Sequence, residues 1–160
     1  MNADDLDSFD LALLREVQSD NQITSAALAE RVNLSPSACL RRLQKLHESG
    51  LIRRDAALLD YAALGRGLTV MTLVALKVET SGLGTGFAAR VGAHAYVTQC
   101  MSVTGEFDFA LTLRLTSMQE YERFIEAELL NDANVARFVT LVGLKETKFE
   151  TAIPLDHLRR

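Results

Sequence analysis

The spacing of apolar residues changes near residue 61, and no other feature of the 160-residue chain constrains its fold more strongly. Before that point, apolar residues recur every three or four positions, which is typical of short amphipathic helices. After it, segments with apolar residues at every second position alternate with helical ones. We therefore predict an α+β protein, divided into a first domain (1–60), a linker (61–67), a second domain (68–150) and a C-terminal tail (151–160).

The first domain is predicted to contain three helices and a short hairpin. Asp7 and Thr24 suit the N-caps of the first two helices, because their side chains accept hydrogen bonds from free N–H groups. Ser35-Pro36 begins the third helix, where the missing N–H of proline costs nothing. Residues 51–54 and 57–60 are predicted as the two strands of the hairpin. The result is a winged three-helix unit.

The second domain is predicted to follow the order β-α-β-β-α-β. The strands are placed at 68–79, 96–104, 107–116 and 135–149, and the helices at 87–94 and from a capping box that begins at Ser117. This order describes a ferredoxin-like split unit, an antiparallel sheet with both helices on one face. The other face would leave apolar side chains in water, so we expect a second copy of the chain to cover it.

The formal net charge of −4 conceals a basic block. Residues 33–54 carry five basic and one acidic side chain, whereas residues 1–32 sum to −5 and residues 55–160 to −3. Attraction to phosphate acts over roughly one Debye length, about 8–10 Å, so a local block can bind a polyanion although the whole chain is acidic. The alternative is a solvated helix face with an intrahelical pair to Glu48.

Several classes of protein fit the sequence poorly. The longest apolar stretch, residues 68–76, contains two threonines and is shorter than the ~20 residues that span a bilayer. The acidic N-terminus does not resemble a secretory signal, so we expect a cytoplasmic protein. Cys39 and Cys100 lie 61 positions apart in apolar surroundings, which favours reduced thiols over a disulfide or a zinc site.

Two patterns that could indicate a cofactor are weak. The glycines at 82, 84 and 86 follow a predicted strand, but Phe87 stands where a dinucleotide fingerprint needs its third glycine. The three histidines lie in separate elements without metal-ligand spacing. We therefore expect neither a cofactor nor a metal, and no catalytic cluster is evident.

Motifs in both domains resemble those of one known family. Leu-Asp-x-x-Asp-x-x-Leu-Leu over residues 6–14 and Leu-Ala-Glu-Arg-Val-Asn-Leu-Ser over residues 28–35 resemble its opening helix and helix-turn. Residues 34–52 follow its recognition helix and wing entry, with His47 in place of the usual glutamate. Residues 103–108 resemble its Gly-x-Tyr-Asp loop, with Phe107 in place of tyrosine. Over nearly its whole length the chain resembles the Lrp/AsnC (feast/famine) transcriptional regulators.

The resemblance implies a winged helix-turn-helix joined to an effector-sensing domain that dimerises through its sheet and often assembles dimers into octamers. Family members bind amino acids or related small molecules between dimers and thereby change DNA binding or assembly. The chain is therefore expected to be a transcription regulator without enzymatic activity, located in the cytoplasm with the nucleoid. Its expected partners are double-stranded DNA, a small-molecule effector and further copies of itself, with no membrane involved.

The third helix and its basic flank are the expected DNA-binding surface. Ser37 and Arg41 are predicted to read bases because they lie in the N-terminal half of the helix, and Arg42 is predicted to contact phosphate. The N-terminus of the helix adds N–H groups suited to phosphate. The complete predicted set is Ser35, Ser37, Arg41, Arg42, Lys45, Arg53 and Arg54.

The loop at 105–108 is the expected effector-binding site. Gly105 permits close backbone approach, and Asp108 supplies an acceptor for an ammonium group. The facing wall is predicted at Thr140 to Gly143, with Met118 either lining an apolar pocket or packing in the core. The predicted set is Gly105, Phe107, Asp108, Met118, Thr140, Val142 and Gly143. The alternative is a plain turn in which Asp108 bonds to its own loop.

Two other functions stay open at this point. An architectural DNA-binding protein would share the basic helix and ignore small molecules. A sirohaem decarboxylase resembles the same two-domain family and no longer reads DNA. The retained basic helix and the absence of paired histidines argue against that enzyme.

Overall fold

The computed structural model describes residues 5–78 and 81–158 and divides into two compact units. The first unit combines Met1–Ala57 with Lys148–Arg160, and the second comprises Leu58–Thr147. Residues 61–67, predicted as a linker, therefore belong to the second unit. Residues 151–158, predicted as a separate tail, belong to the first unit, so both ends of the chain contribute to it.

Three helices form the centre of the first unit: α1 (Ser8–Ser19), α2 (Ser25–Val32) and α3 (Pro36–Glu48). The predicted caps are confirmed, because Asp7, Thr24 and Ser35 each accept a hydrogen bond from a backbone N–H of the first turn. At α1 the bond is reciprocal, since the Asp10 carboxylate accepts from the Asp7 N–H at 3.3 Å. Side-chain caps of this kind replace bonds that the first turn of a helix cannot make internally.

A sharp turn joins α2 to α3. Asn33 adopts a left-handed conformation with φ 57°, and its N–H bonds to the carbonyls at the end of α2. The helices enclose a small core of Leu13, Leu28, Ala29, Val32 and Cys39. Cys39 is fully buried, as predicted, and burial raises the pKa of its thiol. A thiol in this state is a small apolar side chain rather than a nucleophile.

The predicted hairpin after α3 does not form. Residues 51–60, all of which the structure describes, contain no strand, and residues 53–60 are exposed. A two-residue hairpin loop needs a residue with positive φ, and neither Asp55 nor Ala56 has one. The prediction of strands at 51–54 and 57–60 is therefore wrong, and the segment is irregular.

The C-terminal segment, residues 148–158, is held by α1. The amide side chain of Gln18 makes two hydrogen bonds to the backbone of Ile153, one donated and one accepted, both at 3.0 Å. Arg15 lies 3.6 Å from the Asp156 carboxylate, and Leu155 is buried. These contacts explain why the segment belongs to the first unit.

The second unit contains a four-stranded antiparallel sheet in the order β2-β3-β1-β4. Its elements are β1 (Leu68–Leu76), α4 (Ser81–Gly92), β2 (Val97–Ser102), β3 (Phe109–Leu115), α5 (Met118–Ile125), a π-helical turn (Glu126–Leu130) and β4 (Val135–Val142). The predicted ferredoxin-like order is confirmed. β4 ends at Val142, so the strand predicted through residue 149 is too long; the prediction of strand at residue 79 lies outside the described residues.

One face of the sheet packs against the helices and forms the core of the second unit. The buried side chains alternate along the strands, as the period of two requires, and include Val70, Val74, Phe109, Leu111, Leu113 and Leu115. Three hydroxyl groups lie within this apolar layer. The Tyr121 hydroxyl lies 3.0 Å from Thr72 Oγ1 and 2.5 Å from Thr140 Oγ1, so each buried hydroxyl has a partner.

The three glycines after β1 are helical rather than looped. Residues 82–86 form the first half of α4, and none of these glycines has a positive φ. Packing explains the difference, because Phe87 and Val91 are buried and the Phe87 ring lies 5.0 Å from the Phe109 ring. Burial of these side chains outweighs the helix cost of glycine, which is ~1 kcal/mol per residue. The helix predicted at 87–94 therefore begins six residues earlier, at Ser81, and this stretch is no phosphate-binding loop.

The capping box predicted at Ser117 is only half formed. Ser117 Oγ accepts from the Glu120 N–H at 3.3 Å, as predicted. The Glu120 carboxylate, however, accepts from the N–H of Thr116 at 2.9 Å. This hydrogen bond, opposed by partial burial, lowers the pKa of Glu120.

The opposite face of the sheet carries exposed apolar side chains. Residues paired across the strands share this face: Met71, Leu73, Met101, Val139 and Leu141. Met101 is 55% exposed, and Met71 and Leu141 are each 44% exposed. A contiguous apolar face of this kind is typical of an interaction surface.

Candidate DNA-binding and effector-binding sites

α3 presents one polar face to solvent. Cys39 and Leu46 are buried against the rest of the first unit. The exposed residues of the helix are Pro36, Ser37, Leu40, Arg41, Gln44, Lys45, His47 and Glu48. An α-helix with one exposed polar face fits the major groove of B-DNA, which is about 12 Å wide.

The N-terminus of α3 is exposed. Ser35 Oγ accepts from the Ala38 N–H at 3.2 Å and lies 3.2 Å from Ser37 Oγ. The positive end of the helix dipole and the remaining N–H groups of the first turn favour an anion here. Ser35 and Ser37 therefore lie where a DNA phosphate or a base edge could reach them.

Four basic side chains on or after α3 are exposed: Arg41, Lys45, Arg53 and Arg54. Within the described residues, none of the four forms an ion pair. The positive charge of the sequence block is thus available for phosphate along this surface.

Arg42 differs from these four residues. Its guanidinium lies 2.8 Å from the Asp7 carboxylate and 2.7 Å from that of Asp10, and 5.6 Å above the Phe9 ring. Hydrogen bonding to Asp10 raises the pKa of Arg42, although burial opposes the shift. Burial acts to raise the pKa of Asp7, but the Asp10 N–H and Arg42 together lower it. Arg42 thus joins α3 to the start of α1, which argues against the predicted phosphate contact.

The loop at 105–108 is organised around Asp108. Gly105 has φ 130°, a conformation that favours glycine. Asp108 Oδ2 accepts a hydrogen bond from the N–H of Leu76 at 2.6 Å, and the Asp108 N–H donates to the Val74 carbonyl at 2.9 Å. The Asp108 carboxylate therefore bonds to the neighbouring strand, while the Asp108 carbonyl closes the loop by accepting from the Val103 N–H at 2.8 Å. One carboxylate oxygen serves the fold, and the other has no hydrogen bond among the described residues.

A basic residue that the sequence analysis did not identify lies beside this loop. The Arg137 guanidinium lies 4.6 Å from the Phe107 ring and 2.6 Å from the Glu106 carboxylate. Arg137 is adjacent because it pairs with Ala75 at the end of β1, and the next residue, Leu76, bonds to Asp108 of the loop. No local signal in the sequence marks it, since the contact spans 31 positions.

The predicted facing wall lies at the other end of the sheet. Val142 pairs with Val70, and the Gly143 N–H donates to the Thr69 carbonyl, whereas Asp108 bonds to Leu76. Six residues of strand separate the two ends, about 20 Å at ~3.3 Å per residue. The two groups of predicted residues therefore cannot line one pocket within a single chain.

The other predicted wall residues have different surroundings. Thr140 turns its hydroxyl to Tyr121 on the helix side of the sheet. A Cβ at Gly143 would lie 3.2 Å from the Thr69 carbonyl oxygen, so this glycine permits close packing against β1. Met118, in the first turn of α5, is 40% exposed and is not a core residue.

A buried arginine forms a second cluster that the sequence did not reveal. Arg114 is 9% exposed; its guanidinium bonds to Thr69 Oγ1 at 2.6 Å and to Glu146 at 2.5 Å, and it covers the Tyr61 ring at 4.8 Å. These contacts tie the first and last residues of the second unit to its sheet. No group of His, Cys, Asp or Glu in the described part of the chain could hold a metal ion. No helix there has the length and apolar character needed to cross a membrane.

Comparison with known proteins identifies both domains. The profile for winged helix-turn-helix DNA-binding matches residues 6–53, which contain α1 to α3. The profile for the Lrp/AsnC ligand binding domain matches residues 69–153. The chain belongs to the Lrp/AsnC family. This Lrp/AsnC regulator therefore combines a DNA-binding helix-turn-helix with a ligand-binding domain of ferredoxin-like fold.

The similarity to relatives covers nearly the whole chain. The leucine-responsive regulatory protein of Rhizobium meliloti is 38% identical over 90% of this chain and 92% of its own length. A transcriptional regulator of Neisseria meningitidis, crystallised with L-Met, has a TM-score of 0.89 at 36% identity and covers 96% of this chain and 99% of its own. An AsnC family regulator from Agrobacterium tumefaciens has a TM-score of 0.88 at 27% identity, over 95% and 99%.

Proposed function

We propose that this regulator binds a pseudo-palindromic operator through α3 of two copies, and that an amino acid changes its assembly or its operator affinity. The observation that carries the proposal is the exposed face of α3, where Arg41 and Lys45 have no ion pair within the described residues. A basic helix face without carboxylate partners is suited to a polyanion.

The residues of the basic surface divide between two roles. Ser37 and Arg41 lie in the exposed N-terminal half of α3 and read base edges. Ser35 caps the helix, and Lys45, Arg53 and Arg54 contact phosphates that position the helix in the groove. Arg42 is not part of this set, because it pairs with Asp7 and Asp10.

The exposed apolar face of the sheet supports a homodimer. Burying Met71, Met101 and Leu141 between two copies would remove apolar surface from water. A two-fold dimer presents two copies of α3, so we expect half-sites one helical turn apart, about 34–36 Å, or a multiple of that. Further association of dimers into octamers is part of the proposal.

The effector proposed is an apolar L-amino acid, and the Neisseria relative crystallised with L-Met supports this choice. The second oxygen of Asp108 would accept the ammonium group, and Gly105 would allow close approach. Met118 and Val142 are exposed at the other end of the sheet. They can therefore line the effector site of one chain only if they come from a neighbouring copy. The site therefore lies between copies of the chain.

The proposal also covers enzymatic activity, location in the cell and the competing function. The relatives are named as transcriptional regulators, which supports a regulator without enzymatic activity. We place the protein in the cytoplasm, associated with the nucleoid, because its proposed partner is chromosomal DNA. An architectural protein that ignores amino acids is the competing function, and ligand titration separates the two.

The DNA-binding role is tested by replacing Arg41 and Lys45 together with Ala and measuring operator binding by fluorescence anisotropy. Arg123→Ala combined with Lys145→Ala is the matched control, because both residues are exposed in the other unit and the pair removes the same two charges. We expect the double variant to lose most of its affinity and its salt slope to fall by about 0.9 per phosphate contact removed. Unchanged operator binding by the double variant would refute the role of α3.

The effector role is tested by calorimetry with the twenty amino acids, beginning with L-Met and L-Leu, on wild type and on Asp108→Asn. Asparagine keeps a side-chain oxygen for the Leu76 N–H and removes the negative charge. We expect binding to wild type, weakened in the variant, and a change of operator affinity equivalent to ~1–3 kcal/mol. If none of the twenty amino acids binds, the architectural function is favoured instead.

A further inference from the structure

Leu40 is an apolar side chain on the exposed face of α3. It is 55% exposed, whereas Leu13, Leu28 and Leu46 of the same three helices are each at most 2% exposed. Phe9 on α1 is also partly exposed, but the Arg42 guanidinium lies over its ring. Single exposed leucines are common on protein surfaces, so exposure alone decides nothing. The position of Leu40 is what matters.

The neighbours of Leu40 are the residues proposed to meet DNA. Ser37 lies one turn before it and Gln44 one turn after it, and Arg41 follows it directly. The Gln44 side chain is directed toward the end of the helix, where its amide donates to the Glu48 carboxylate at 2.8 Å. It therefore does not cover Leu40. If α3 lies in the major groove with Ser37 and Arg41 at base edges, Leu40 lies against bases as well.

Only one base presents an apolar group in the major groove. Thymine carries a C5-methyl there, whereas the other bases present hydrogen-bond donors and acceptors. A leucine placed over a polar base edge would leave those groups unpaired, and a thymine methyl avoids that cost. The cations of the same surface, Arg41 and Lys45, are complementary to phosphate, which favours DNA over an apolar protein as the occupant of this surface.

We infer that Leu40 packs against the C5-methyl group of a thymine in each operator half-site and selects thymine at that position. The inference rests on the proposed binding of DNA by α3 and adds one specificity-determining residue to it. Leu40 carries no charge, so its contribution does not depend on salt, unlike that of Lys45.

The test removes the methyl group and the leucine separately. An operator is first selected from random double-stranded DNA with the full-length wild-type protein. Each thymine of a half-site is then replaced in turn by deoxyuridine, which differs only in lacking the C5-methyl. At one position per half-site, this replacement is expected to lower wild-type affinity about fourfold, because burying one methyl group contributes ~0.8 kcal/mol. When both half-sites are changed, the affinity should fall about fifteenfold.

Leu40→Ala is expected to bind the thymine and deoxyuridine operators equally at that position, because the methyl has lost its partner. Leu40→Met keeps an apolar side chain and should retain part of the discrimination, whereas Leu40→Asn should lose it. Leu130→Ala is the matched control, since Leu130 is 64% exposed in the other unit, and it should discriminate like wild type. This design is a double-mutant cycle between one side chain and one methyl group.

Two outcomes separate the inference from the proposed function. If the wild-type protein selects no operator, the proposed function fails and the inference with it. If the wild type binds an operator but Leu40→Ala and Leu40→Asn still distinguish thymine from deoxyuridine at every position, the inference is overturned and the proposed function stands. Circular dichroism of each variant confirms that α1 to α3 are folded during the measurement.

Discussion

Replacing Arg42 with Ala should destabilise the DNA-binding unit rather than weaken a phosphate contact. The guanidinium holds two carboxylates, at 2.8 Å from Asp7 and 2.7 Å from Asp10, and Asp10 is only 6% exposed. Without Arg42, the Asp10 carboxylate keeps the 3.3 Å bond from the Asp7 N–H and loses its cation.

The magnitude follows from burial. Breaking a fully buried ion pair costs about 3–5 kcal/mol, and an exposed pair contributes about 0–1 kcal/mol. The Asp7 and Arg42 side chains are 47% and 27% exposed, so solvent screens part of the interaction. The lost contact with Phe9 adds about 0.5–1 kcal/mol. We expect Arg42→Ala to lower the free energy of unfolding of the first unit by about 2 kcal/mol.

The assay is urea unfolding followed by circular dichroism at a helix wavelength, on wild type, Arg42→Ala and Arg41→Ala. Arg41 is the adjacent arginine without an ion pair in the described residues, so its replacement should leave stability unchanged and reduce operator affinity. The double variant Arg42→Ala with Asp10→Asn should recover part of the loss, because no charge is then left buried. This reasoning would be refuted if Arg42→Ala were as stable as the wild type and the salt slope of its operator binding fell by about one. The predicted contact of Arg42 with phosphate would then be the better explanation.

Three further predictions concern stability. Tyr121→Phe removes the hydroxyl that bonds to both threonines of the buried cluster and should cost ~1–3 kcal/mol in urea unfolding of the second unit; no loss would mean that the cluster is not needed. Gly143→Ala places a Cβ 3.2 Å from the Thr69 carbonyl oxygen and, if β1 cannot move, should lower the free energy of unfolding of that unit by ~1–3 kcal/mol, seen as a lower melting temperature. The pKa of Asp7 is lowered in the folded state, so its contribution is complete above its unfolded pKa of 3.8 and is lost as pH falls through the lower folded value. Acid unfolding should therefore show a shallower pH dependence in Arg42→Ala than in wild type, and equal slopes would contradict the ion pair.

Features set by neighbouring residues could be predicted from the sequence. The caps Asp7, Thr24 and Ser35 depend on residues two or three positions away, and the structure confirms all three. Failures occur where distant contacts decide. The glycines at 82–86 are helical because Phe87 packs on Phe109, a contact that no local pattern contains.

The candidate sites show the same division. The exposed basic face of α3 follows from helical periodicity, so Arg41 and Lys45 lie on the surface as expected. Arg42 lies 32 positions from Asp10, and periodicity alone does not reveal that pairing. The effector wall was predicted at the wrong end of β4: this strand runs antiparallel to β1, so its first residue, Val135, pairs with Leu76 beside the loop, whereas Val142 pairs with Val70. No local pattern shows a pairing between strands so far apart in the chain.

The return of residues 148–158 to α1 makes the sensor domain an insertion within the DNA-binding unit. The reader is therefore encoded in two separate parts of the chain, and the second part is synthesised only after the whole sheet domain. A chain that stops after residue 147 would carry all three helices yet lack the backbone that Gln18 bonds and the buried Leu155. The unit that contains α1 to α3 is therefore complete only after the second unit has been synthesised.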